Sequence, residues 1–127
     1  MHKNLIRGIA LAVTAVPTLA ATAASALVPA TAAFSGMYEA RVAGIEEERI
    51  IDAPIAGVVN KQWFNYRANV NEAQKELASD LRHAHKVKDQ RNAFDEYGGE
   101  LRHERATYVN YMDKHGYRVP RVYIQDL

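Results

Sequence analysis

Cysteine is absent from all 127 residues of this chain. No disulfide can brace it, and no thiolate is available as a nucleophile or soft metal ligand. Hydroxyl nucleophiles are scarce as well: beyond residue 32 only Ser35, Ser79 and Thr107 remain. Neither serine lies in a Gly-x-Ser-x-Gly elbow. A glycine-rich phosphate loop is missing too, because Gly98-Gly99 runs into Glu100-Leu101 and not into Lys-Ser/Thr. Charge of one sign does not dominate, with 16 Lys and Arg against 15 Asp and Glu. Such a balance supplies no field to recruit nucleic acid or a membrane surface. These absences point away from an enzyme and imply no cofactor.

Strongly apolar runs are also short, and the one at the start has a particular layout. Lys3 and Arg7 form a basic end, Ile9 to Val16 an apolar centre, and small residues with Ala-x-Ala spacing follow. That is the pattern of a secretory signal peptide, read here as residues 1–32, with cleavage after Ala26 as the alternative. A spanning helix needs about 20 strongly apolar residues, whereas this stretch is rich in Ala and Thr with Pro17 near its middle. No membrane span is therefore expected after signal removal, and the protein is expected to be periplasmic or secreted. Losing Lys3 and Arg7 leaves 14 bases against 15 acids, a net charge near −1. An exported chain this small and without disulfides must be held by packing, by a partner or by self-association.

Residues 33–53 form an acidic lead-in, with Glu39, Glu46, Glu47, Glu48 and Asp52 against Arg41 and Arg49. Tyr38, Val42 and Ile45 at helical spacing predict a short helix there. Asp52-Ala53-Pro54 then reads as a helix start, since Asp can cap and Pro is tolerated in a first turn. From that point Ile55, Val59, Trp63, Tyr66, Val70, Ala73, Leu77, Leu81 and Ala84 recur at steps of three and four. Their period is that of an amphipathic α-helix with one buried stripe.

A second apolar set, Phe94, Tyr97, Leu101, Tyr108 and Met112, falls on a different face of any single continuous helix. "EAQKELASDLRH" (Glu72 to His83) and "NAFDEYGGELRH" (Asn92 to His103) also resemble one another at an offset of 20, about 200° of helical rotation. Both observations favour two helices with a reversal within His85 to Gln90. The alternative break is at Gly98-Gly99, the strongest local breaker. Within a helix, those glycines, together with Ala73, would let the two long helices approach closely, with Gly98 beside Leu77. Lys114, His115, Gly116 and Pro120 end the second helix. The tail is expected to be extended, with Val119, Val122 and Ile124 covering the open end. The predicted fold is thus all-α: a short helix, then a long antiparallel, coiled-coil-like helical hairpin and tail over 54–127.

Metal ligation has candidates in His83, His85, His103 and His115. No two of them stand three or four apart, the spacing that aligns ligands on one helix face. A basic cluster, Arg82, Lys86, Lys88 and Arg91, marks the proposed tip and could contact an anionic partner or the cell envelope. "IIDAPIAGVV" (Ile50 to Val59) locally resembles the Ala-Pro-x-x-Gly-Val-Val turn of lipoyl-like domains in periplasmic membrane-fusion adaptors. It spans ten residues, and the second half-motif with spaced glycines is missing. In architecture the exported hairpin resembles small periplasmic stress chaperones, although their Leu-Thr-x-x-Gln repeats are absent. The function expected is contact with a protein partner or the envelope, as scaffold, adaptor or chaperone-like binder. The alternative is a periplasmic metal- or ligand-binding protein that uses the surface histidines.

Overall fold

The structure is a computed structural model that describes residues 29–125 and 127; the basic start and apolar centre of the expected signal peptide, and its alternative cleavage point after Ala26, lie outside them. Among the described residues every regular element is helical and none is a strand. The elements are α1 (Ala30–Ala33), α2 (Tyr38–Glu48), a 3₁₀ turn (Ile55–Gly57), α3 (Lys61–His83), α4 (Val87–Lys114) and α5 (Arg121–Ile124). Helix α4 packs against both α3 and α2, and α1 lies on α2. No helix among these residues is long and apolar enough to cross a membrane.

The two long helices meet along their apolar stripes. Tyr66, Val70, Ala73 and Leu77 of α3 are buried, as are Phe94, Tyr97, Leu101, Tyr108 and Met112 of α4. Asn60 Nδ2 donates to Met112 Sδ at 3.5 Å. The Tyr66 and Tyr108 rings stack with centroids 5.1 Å apart, and Asn69 Nδ2 donates to Glu104 Oε2 at 2.8 Å. As the partner before or on α3 advances from 60 to 69, its partner on α4 recedes from 112 to 104. The helix is interrupted at 84–86, while Gly98 and Gly99 lie inside α4.

Helix α3 does not begin at Pro54. Ala56 (φ 55°) and Gly57 (φ 69°) adopt left-handed backbone, which cannot continue a right-handed helix. Asn60 starts the helix instead, its Oδ1 accepting the Trp63 N–H at 3.0 Å. Two tyrosines hold the displaced loop to the core. The Ile51 N–H donates to Tyr66 Oη at 2.8 Å and the Ile55 N–H to Tyr108 Oη at 3.0 Å. Ile55 stays buried as expected, but Val59 is exposed. The "IIDAPIAGVV" stretch is thus a pinned loop with one 3₁₀ turn, not a turn between strands.

Helix α2 forms where expected but buries a different face. Tyr38 and Ile45 are exposed, whereas Ala40, Ala43 and Glu46 are buried. The small residues permit a close approach to α4: a Cβ placed on Gly98 would lie 3.3 Å from Ala43 Cα. The close neighbour of Gly98 is therefore α2, not Leu77 of the partner helix α3 as the hairpin register implied, and Gly99 faces open space. At its far end α4 closes as anticipated. Gly116 (φ 78°) takes the left-handed position. Gly116 N–H donates to Asp113 O and Tyr117 N–H to Met112 O, each at 3.0 Å, a Schellman motif. Pro120 does not stop the chain from turning helical again, because it precedes α5. Tyr117, Val119 and Tyr123 pack on the core, while Val122 and Ile124 remain exposed.

Candidate functional site

Glutamates recur every fourth position on both long helices: Glu72 and Glu76 on α3, and Glu96, Glu100 and Glu104 on α4. Packing brings the two rows together as walls of one groove of about 610 Å³, floored by Ala73 and Gly99 and flanked by Asn69 and His103. The lining contains neither Lys nor Arg. Loss of water contact raises the Glu100 carboxyl pKa above its ordinary value, and the charges of Glu76, Glu96, Glu104 and Asp80 raise it further. Like charges at this spacing oppose helix formation. Facing each other across a groove, they concentrate negative potential.

The predicted basic tip divides in two. Arg82, Lys86 and Lys88 are exposed, with no ion pair among the described residues. Arg91 instead turns toward α2, its Nε 3.8 Å from Glu39 Oε1. The histidines occupy different settings. His83 Nδ1 is 2.7 Å from Ser79 O, and His115 Nδ1 is 2.7 Å from Tyr111 O, with the His115 ring stacked on Tyr111. His85 stands exposed in the connection and His103 on the glutamate groove. Among the described residues no group of three or more His, Asp or Glu side chains is placed to hold a metal ion.

The interior carries charge that apolar periodicity does not reveal. Glu46 and Arg105 are both almost fully buried, with Arg105 Nη2 2.7 Å from Glu46 Oε2. Their angles do not meet hydrogen-bond geometry, so the contact is an ion pair, and Arg105 Nε has no hydrogen-bond partner. Arg102 Nη2 at 3.3 Å and Arg49 Nη1 at 3.5 Å approach Glu46 Oε1 from the surface. The adjacent Glu47 accepts from the Tyr97 hydroxyl at 2.8 Å and from Thr31 Oγ1. Burial, the hydrogen bond to Glu47 and that residue's charge hold the Tyr97 phenol well above its usual pKa. Burial also raises Tyr66 and Tyr108, against the opposing effect of the backbone N–H groups they accept.

A second cavity of about 380 Å³ opens beside Arg105, between the loop after α2 and the C-terminal tail. Arg49, Arg105, Glu48 and Asp52 line it together with Tyr123. Its mixed charge already offers each cation an acid nearby, unlike the one-signed groove.

The groove was missed at the level of sequence because each row of glutamates alone reads as a solvated helix face. The spacing of four was visible, but the juxtaposition of the rows depends on helix pairing. No family model, curated protein or solved structure matches the chain.

Proposed function

We propose that this is an exported, non-enzymatic helical protein that acts by contact, with its α3–α4 groove receiving a cationic segment of a partner protein. In this reading α3 and α4 form an antiparallel hairpin and α2 braces one side. The observation that carries the proposal is the groove's one-signed lining: five glutamates converge on it without a Lys or Arg. A Lys- or Arg-rich segment would relieve their repulsion and gain charge-assisted hydrogen bonds. The exposed Arg82, Lys86 and Lys88 provide a separate basic tip for an anionic surface of the envelope.

A synthetic Lys-rich peptide titrated into the protein tests the groove. Saturable binding that weakens with added salt, and is lost in a Glu76→Gln/Glu96→Gln/Glu100→Gln variant, is the expected result. Equal binding to the variant would overturn the groove as the contact site. Thermal melts with Zn²⁺, Cu²⁺ or Ni²⁺ test the competing histidine reading. A site specific to the folded state would stabilise it by about 2.7 kcal/mol at 100 times its Kd. The contact reading expects no such gain.

A further inference from the structure

We propose that the leader is removed between Ala26 and Leu27, so that Leu27 to Ala32 remain in the working protein; this rests on the export reading above. Both candidate bonds carry small residues one and three positions before the cut, Ala26 and Ala24 or Ala32 and Ala30. The small-residue spacing therefore does not separate them, and Pro29, which would break the apolar helix just ahead of the later bond, is the one feature of the leader that favours Ala32. The fold favours the earlier bond.

Thr31 is only 5% exposed, and its hydroxyl donates to Glu47 Oε2. The other oxygen of that carboxylate accepts from Tyr97, so Glu47 ties α1, α2 and α4 together. A Cβ placed on Gly44 would lie 3.7 Å from both Cβ and Oγ1 of Thr31, an ordinary packing distance. Ala30 and Phe34 pack on the core, with the Phe34 ring 5.3 Å from that of Phe94. Cleavage after Ala32 would delete Ala30 and Thr31 and remove one donor from Glu47. It would also place a new ammonium group next to Phe34. Cleavage after Ala26 leaves every one of these contacts in place. In that step water adds across the Ala26–Leu27 peptide bond; the Ala26 carbonyl becomes a carboxylate and the Leu27 nitrogen leaves as an amine.

The full chain, expressed with its own N-terminus in an exporting bacterium, should yield a product whose intact mass begins at Leu27. A product beginning at Ala33, lighter by the six residues Leu27 to Ala32, would overturn the proposal. A product retaining Met1 would mean that the segment is an uncleaved anchor, which overturns the cleaved-signal reading itself and keeps the two failures distinct. Stability supplies a second readout. A chain starting at Ala33 should melt about 4–8 °C or more below one starting at Leu27, and Thr31→Val in the longer chain should reproduce part of that drop. Equal midpoints would remove the structural ground for the assignment.

Discussion

Adjacent glycines in α4 have opposite jobs, and one methyl group at each separates them. Gly98 faces Ala43 of α2 at a distance tighter than an ordinary Cβ contact, whereas Gly99 faces the open groove. Gly98→Ala should force α2 outward and destabilise by about 1–3 kcal/mol. Gly99→Ala should stabilise by about 1 kcal/mol through helix propensity alone. Paired denaturant titrations check both, and two losses of similar size would contradict the asymmetric packing. The buried pair gives a larger effect. Glu46→Gln leaves Arg105 charged in the interior without its counter-ion and should cost about 3–5 kcal/mol. Glu46→Leu combined with Arg105→Met should recover most of that loss, because it removes both desolvated charges together. Tyr97→Phe removes a hydrogen bond to a charged acceptor and should cost about 1.5 kcal/mol. The raised Tyr97 pKa stabilises the fold below the unfolded tyrosine value of 10.0, and that contribution is lost as pH rises through the folded value. Stability measured above pH 10 should accordingly fall less steeply in the Phe variant.

At the scale of elements, the start of α3 is the most informative boundary. Asp52 and Pro54 carry good start chemistry, but Tyr66 and Tyr108 draw the Ile51 and Ile55 amides into the core. The helix yields there and begins one cap later, at Asn60. Asn60→Ala should therefore cost about 1 kcal/mol, with Asp52→Ala near neutral; thermal melts of the two variants distinguish the starts. The same competition explains α2. Large apolar residues suggested a face through Tyr38 and Ile45, but α4 offers Gly98, and close approach selects the small face at Ala40 and Ala43. In α4, by contrast, the stripe of Phe94, Tyr97, Leu101, Tyr108 and Met112 and the Gly116 cap were legible, since one strong period and one left-handed glycine act locally, whereas the burial of Arg105 and Val109 on the same helix was not.

For the whole molecule, the groove couples stability to pH. The Glu100 pKa is raised above 4.5 in the folded state. Its contribution to stability is therefore present below that ordinary value and is lost as pH rises through the raised one. Glu100→Gln should raise the melting temperature at pH 7 and leave it nearly unchanged at pH 4. A drop at pH 7 would mean that the carboxylate is held by a favourable interaction and not strained by repulsion.

Sequence alone determined the helical class, the two long apolar stripes, the end of α4 and the absence of thiol chemistry. These follow from periodicity, local backbone preference and inventory, which need no knowledge of neighbours. Tertiary structure decided which face of α2 is buried, where α3 starts and that Arg105 lies opposite Glu46. It also decided that two ordinary rows of glutamates share one groove. Each of these depends on contacts between residues far apart in the chain. Burial, close approach and charge pairing at such contacts override what local pattern prefers.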